Sequence, residues 1–155
     1  CEVRNLWLGK YPDDGVSMSG SSDNKSLHMW IHNNTIEKGY NAYAGNGTVD
    51  DDKADGDGSL DIKWTEYVTV SYNVFQDCHK TSLVGGGTSH MQDWITYHHN
   101  WFNNTESRNP RARNAHIHSY NNYFYNNKQY GIGASYNSKV FSEANYYQNT
   151  CLWTL

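Results

Sequence analysis

The 155-residue chain carries 12 Lys and Arg against 16 Asp and Glu, a formal net charge of -4, with 18% charged and 37% hydrophobic residues. That length suits about one domain with a real core, and 13 tyrosines, 6 tryptophans and 4 phenylalanines exclude a disordered chain, which is poor in aromatics. The acidic balance argues against nucleic acid, where phosphate neutralisation dominates affinity, and apolar runs of only a few residues exclude a helical membrane span.

In chain order the sequence repeats itself. The blocks "EVRNLWL", "WIHNNTI", "TVSYNVF", "TYHHNWF", "HSYNNYF" and "FSEANYY" align on Asn5, Asn34, Asn73, Asn100, Asn122 and Asn145, at spacings of 29, 39, 27, 22 and 23 residues. Each block is short alternating β-type sequence, then asparagine, then two mostly apolar or aromatic residues. A period settling near 22 residues with no helical heptads predicts an all-β fold, a right-handed parallel β-helix whose coils stack because none buries its inward face alone. Two physical reasons favour asparagine at the repeated corner: it tolerates the left-handed backbone of a sharp bend, and its amide can bond from rung to rung. The residues two places on, Trp7, Ile36, Phe75, Phe102, Phe124 and Tyr147, are expected to form one interior column.

The chain begins in mid-pattern at Cys1 and ends just after the Asn145 coil, so 1–155 is expected to be a single β-helix domain within a longer polypeptide. No basic segment leads into an apolar stretch of signal-peptide type. Three cysteines, Cys1, Cys78 and Cys151, leave at least one without a partner in the chain. Sequons occur at Asn24, Asn33, Asn46 and Asn103, as an asparagine-rich chain generates by chance.

Where the spacing exceeds one coil, the excess must leave the solenoid as a loop, and the longest excess lies between Asn34 and Asn73. It contains "DDDKADGDGSLD", with Asp50, Asp51, Asp52, Asp55, Asp57 and Asp61. This is either a solvated acidic loop or part of an oxygen-ligand cation site; it lacks the spacing and flanking helices of an EF-hand. Asp57 and Asp61 lead directly into a strand, which favours the second reading for them. His98, His99, His116 and His118 lack zinc spacing, and strand alternation puts neighbours on opposite faces. Gly85, Gly86 and Gly87 read as a turn, since no lysine follows at P-loop spacing.

"ESRNPRAR", residues 106–113, gathers three of the four arginines around one of two prolines. Pro110 blocks a helix and biases Asn109 toward extended geometry, so the segment is a constrained bend at a strand boundary. Such a bend can aim Arg108 and Arg113 to one side, leaving Arg111 structural or solvent-facing. With Lys80 in the coil before, three cations are expected to face the acidic cluster across a groove.

The segments "DGSLDI", "EYVTVSYNVFQDCHKTSLVG", "ITYHHNWFNN", "RNPRAR" and "IHSYNNYFYN" resemble, in the same order, those of the pectate lyase family of polysaccharide lyases. The resemblance implies a calcium-dependent, secreted enzyme that cleaves polygalacturonate by β-elimination to unsaturated oligogalacturonates, acting as a monomer, with neither nucleic acid nor membrane as partner. It implies calcium carboxylates at Asp57 and Asp61, with a third at Asp14 or, as runner-up, Asp13. It implies a substrate-binding lysine at Lys80, a catalytic arginine base at Arg108, and an arginine for the substrate carboxylate at Arg113. One departure is "WIHNN", where His32 and Asn33 replace the family's usual aspartate and histidine; both read as structural. Two alternatives stand beside this reading: a pectin lyase working without calcium on esterified polymer, which the retained Asp57 and Asp61 disfavour, and a non-catalytic polysaccharide-binding β-helix. An arginine base has an ordinary pKa far above neutral, and neighbouring cations and high pH favour its neutral form. Lyase activity is therefore expected to rise into the alkaline range, and a pH profile flat or falling above neutral refutes the arginine-base assignment.

Overall fold

A computed structural model describes residues 1–47, 50–85, 87 and 90–151. Three parallel sheets account for the strands, and successive strands along the chain go to successive sheets. Sheet 1 stacks Glu2–Arg4, Ser26–His32, Thr65–Ser71, Gln92–His98, Ala115–Tyr120 and Lys139–Glu143. Sheet 2 stacks Trp7–Leu8, Thr35–Glu37, Val74–Gln76, Trp101–Asn103, Tyr123–Tyr125 and Tyr146–Gln148. Sheet 3 stacks Val16–Ser19, Gly58–Lys63, Lys80–Val84, Arg111–Arg113 and Gly133–Ser135. Every pairing is parallel, the winding of a parallel β-helix, as the repeat predicts.

The corner between sheets 1 and 2 carries the repeated asparagines. Nδ2 of Asn34 donates to Oδ1 of Asn73 at 3.0 Å, Asn73 to Asn100 at 3.0 Å, Asn100 to Asn122 at 2.9 Å, and Asn122 to Asn145 at 3.0 Å. Each acceptor oxygen also takes the backbone N–H of the preceding asparagine. The second amide proton goes to a carbonyl, as from Asn100 to Val70 at 2.9 Å. Burial of an amide is tolerable only when its donors and acceptor are satisfied in this way.

The structure corrects three expectations. The left-handed residue is not the ladder asparagine but the one before it: Asn33, Tyr72, His99, Asn121 and Ala144 have φ between 49° and 55°. In the first coil Asn5 is itself the left-handed residue (φ 57°), and the next backbone N–H, that of Leu6, bonds the Asn34 side chain. The first coil is thus shifted by one residue, and a one-residue shift turns each strand side chain to the opposite face. Trp7 is consequently 61% exposed and pairs with Thr35, while Leu8 pairs with Ile36 and packs against the core. The rest of the predicted column stands: Phe75 on Phe102, Phe102 on Phe124 and Phe124 on Tyr147, at centroid separations of 5.0, 4.9 and 4.5 Å. The left-handed turn at His99 also overrides strand alternation, bringing its Nδ1 within 2.9 Å of His98 Nδ1. His32 is tied between Asn33 and Glu2 and stacked on Trp30.

Asn100→Ala removes an acceptor for two buried donors and a donor to two oxygens, and at about 1–3 kcal/mol for each unsatisfied group it is expected to cost about 3 kcal/mol in chemical denaturation. Asn5→Ala, exposed and outside the ladder, is expected to cost about 1 kcal/mol; equal losses refute the ladder as the source of the asparagine pattern.

Candidate active site

The core face of sheet 3 is largely apolar over its central strands. Leu60, Ile62, Val84 and Ala112 point into the core, so their neighbours Asp61, Lys63, Leu83, Arg111 and Arg113 project outward. In register, Asp61 lies beside Leu83 and Leu83 beside Arg111. The chemistry gathers where the coils enter this sheet. Asp14 stands two residues before Val16–Ser19, Asp57 one residue before Gly58–Lys63, Lys80 opens its strand, and Arg108 stands three residues before Arg111–Arg113. Backbone bonds hold this edge together: Asp57 N–H to Asp13 O at 2.9 Å, Gly15 N–H to Gly58 O at 2.9 Å, and Ser82 N–H to Arg108 O at 2.7 Å. Carboxylates therefore occupy two successive coils and cations the next two, the whole run spanning roughly 15 Å at one strand spacing per coil.

Carboxylate oxygens of Asp13, Asp14 and Asp57 all lie within 4.8 Å of one another. Asp14 is fixed by accepting the Gly58 N–H at 3.0 Å. Lys53, on the one-turn 3-10 helix Asp51–Lys53, reaches into the group, 3.2 Å from Asp13 and 2.8 Å from Asp57. Lys80 bonds Asp52 at 2.6 Å and Asp57 at 3.1 Å. Burial pushes the Asp57 carboxyl up, but the Lys53 and Lys80 ammonium groups outweigh it and hold it below the usual carboxylate range. The hydrogen bonds that Lys53 donates to Asp57 and Asp13 raise its own pKa in turn. The donor set is hard oxygen of high negative charge, which fits a calcium-type cation, and the two lysines supply the neutralising charge in this structure. Both Asp13 and Asp14 belong to the group. Asp61 does not: its side chain is buried on the sheet-3 face, bonded to Lys63 at 3.0 Å and accepting the Leu83 N–H at 3.3 Å. Burial, reinforced by the Asp14 charge, raises Asp61 against the pull of Lys63.

Lys80 is thus not across a groove from the acidic loop but in contact with it. Arg108 has a left-handed backbone, φ 59°, and is half-buried. Its neighbour Asn109 is fully buried, accepting from Thr105 Oγ1 at 2.8 Å and donating to Tyr130 O at 2.9 Å. This anchor fixes the bend, and the only sequence signal for it is the asparagine preceding a proline. Arg113 lays its guanidinium carbon 4.4 Å above the Tyr136 ring, while its Nε is buried without a hydrogen-bond partner among the described residues. Arg111 Nε reaches Ser135 Oγ at 3.4 Å. Lys53, Tyr136 and the anchoring role of Asn109 are what sequence reasoning misses; Lys53 lies in a plain charge run, and Tyr136 is contributed by the next coil.

The pectate lyase family model matches residues 9–152. The chain belongs to the pectate lyase family. It is 33% identical over 152 residues to a pectate trisaccharide-lyase of Bacillus licheniformis and 31% identical over 153 residues to pectate lyase B of Dickeya chrysanthemi. Each alignment covers 95% of this chain but only 41% and 39% of those relatives, so the chain spans about two-fifths of their length. Among solved structures, a variant pectate lyase from Xanthomonas campestris superposes with a TM-score of 0.77 at 26% identity, covering 99% of this chain and 56% of the other. A Bacillus pectate lyase in complex with trigalacturonate gives 0.71 at 26% identity, covering 96% and 56%.

In this pectate lyase family chain, Gly85, directly after Lys80–Val84, lies against the backbone of Arg113. Gly85 has φ 126°, and a Cβ there would meet the Arg113 carbonyl oxygen at 1.8 Å; Gly86 lies outside the described residues. Gly85→Ala is expected to destabilise the fold by about 2 kcal/mol and to disturb Arg113, whereas an unchanged thermal midpoint refutes the close approach.

Proposed function

We propose that this chain carries the catalytic centre of a calcium-dependent pectate lyase, which cleaves polygalacturonate by β-elimination and leaves unsaturated oligogalacturonates. The observation that carries the reading is the order of charge along one solenoid edge: Asp13, Asp14 and Asp57 together, then Lys80, then Arg108 and Arg113. Such an order suits an anionic polymer lying along the coils.

Asp13, Asp14 and Asp57 would hold calcium, with Asp61 beside them through Asp14. When bound, calcium neutralises the uronate carboxylate and so eases loss of the proton on the adjacent carbon. Lys80 and Arg113 bind and orient that carboxylate; the partnerless Arg113 Nε supports this role, because a buried donor without an acceptor favours a ligand that supplies one. Arg108, held by the buried Asn109, takes the proton from C5 of the uronate. The electron pair left behind forms the C4–C5 double bond, the C4–O bond to the leaving sugar breaks, and that oxygen gains a proton from water. A polymeric substrate too large to enter a cell goes with a secreted enzyme, and among the described residues no helix is long and apolar enough to cross a membrane.

Incubation with polygalacturonate is expected to raise the ultraviolet absorbance of the unsaturated product, and a chelator is expected to abolish the rise. Absence of signal from folded protein overturns the lyase reading, while signal indifferent to chelation favours the pectin-lyase alternative. Arg108→Ala is expected to lower turnover by at least about 10²-fold with an unchanged thermal midpoint; substantial residual turnover refutes its role as base.

A further inference from the structure

The outer face of sheet 1 carries a second feature, away from the sheet-3 edge. Three residues in successive coils, His28, Tyr67 and Trp94, share a left-handed backbone with φ 59°, 55° and 62°. An aromatic residue holds that conformation only where its surroundings enforce it. Here their rings form one stack: His28 on Tyr67 at 5.0 Å, and Tyr67 on Trp94 at 6.0 Å with planes 5° apart. The stack stops at Trp94 because the next strand lacks the extra residue. Gln92 pairs with Ala115 and Ile95 with Ile117, so Asp93 and Trp94 together oppose the single His116.

That missing residue leaves a step. The exposed indole of Trp94, 67% accessible, forms one wall of a groove of about 630 Å³, and Phe141, 62% accessible, is also part of its lining. Its polar lining comes from Asp93, Thr96, His116, His118 and Lys139. Asp93 is engaged by His116 Nδ1 at 2.6 Å, and Glu143 by His118 Nε2 at 2.9 Å. Lys139 has no carboxylate partner among the described residues, so its ammonium is available to a ligand anion.

The geometry points to a second, non-catalytic binding site on sheet 1 for a uronate-containing saccharide. A pyranose presents an apolar C–H face, which the flat Trp94 indole can cover, as aromatic rings do for other amphipathic ligands. A uronate adds a carboxylate, which complements the unpaired Lys139; a neutral sugar leaves that charge unused. Paired to Asp93 and Glu143, the two imidazoles are held in fixed orientation to bond ring hydroxyls. A chain bound here is tethered on a different sheet from the one carrying Arg108, so the site adds to polymer retention rather than to bond cleavage.

Trigalacturonate titrated calorimetrically into Lys80→Ala/Arg113→Ala protein, in which the sheet-3 site is disabled, tests the inference. Residual millimolar binding is expected, weakened at least tenfold by adding either Trp94→Ala or Lys139→Ala, with no comparable binding of maltotriose. Trp94 and Lys139 are exposed, so circular dichroism and the thermal midpoint are expected to stay unchanged; if Trp94→Ala alters them, Trp94→Ser and Lys139→Ala decide the matter. Loss of all binding in the starting double variant, indifference to both substitutions, or equal binding of maltotriose overturns the proposal. The lyase assay reports separately: binding on sheet 1 without any lyase activity in the parent protein leaves this site standing and removes only the catalytic reading.

Discussion

Rung-to-rung bonding of the amides of Asn34, Asn73, Asn100, Asn122 and Asn145, the first four of them buried, sets the geometry on which the rest depends. The amide oxygens of Asn73, Asn100, Asn122 and Asn145 each accept both the side-chain and the backbone N–H of the preceding asparagine, so a coil that slipped by one residue would strand several donors in the interior. With the corner pinned, the strands on either side fall into register, and Phe75, Phe102 and Phe124 stack almost parallel. The same register brings residues far apart in sequence, such as Asp13 and Asp57, or Lys80 and Ser107, to neighbouring positions on one edge.

That edge is a linear array, because a solenoid presents equivalent positions of successive coils at one strand spacing. Charge is sorted along it by coil. Carboxylates repel one another at such spacing unless cations lie between them, and Lys53 and Lys80 do so here, which keeps Asp57 ionised despite its partial burial. Arg108 and Arg113 sit further along and are positioned by unrelated devices: a buried asparagine for the first, a tyrosine ring from the following coil for the second. The arginines of "RNPRAR" are therefore distinct in environment although they lie within six residues of one another.

Much of this was legible before any coordinates. The asparagine period identified the solenoid because one physical demand, a satisfied amide at the corner, recurs from the second coil onward, and the segments that resemble the family's contain Asp57, Lys80 and Arg108, which the structure gathers where the coils enter sheet 3. Where reading from sequence failed, it failed by one residue or by one contact. Asn5 matches the pattern yet is the left-handed residue before the rung, so Trp7 faces solvent. Strand alternation suggested that His98 and His99 diverge, but a left-handed turn joins them.

By itself, the sequence determined the all-β repeat, the inward apolar column from Ile36 onward and the residue types present at the sheet-3 edge, since these follow from local period and composition. Only the tertiary structure decided that Asp13, Asp14 and Asp57 share one cluster while Asp61 pairs with Lys63, and that the aromatic stack of sheet 1 ends at Trp94. The reason is the same in each case. Which side chains meet across coils depends on loop lengths and single-residue bulges, and those shift the register between coils without changing the pattern within any one of them.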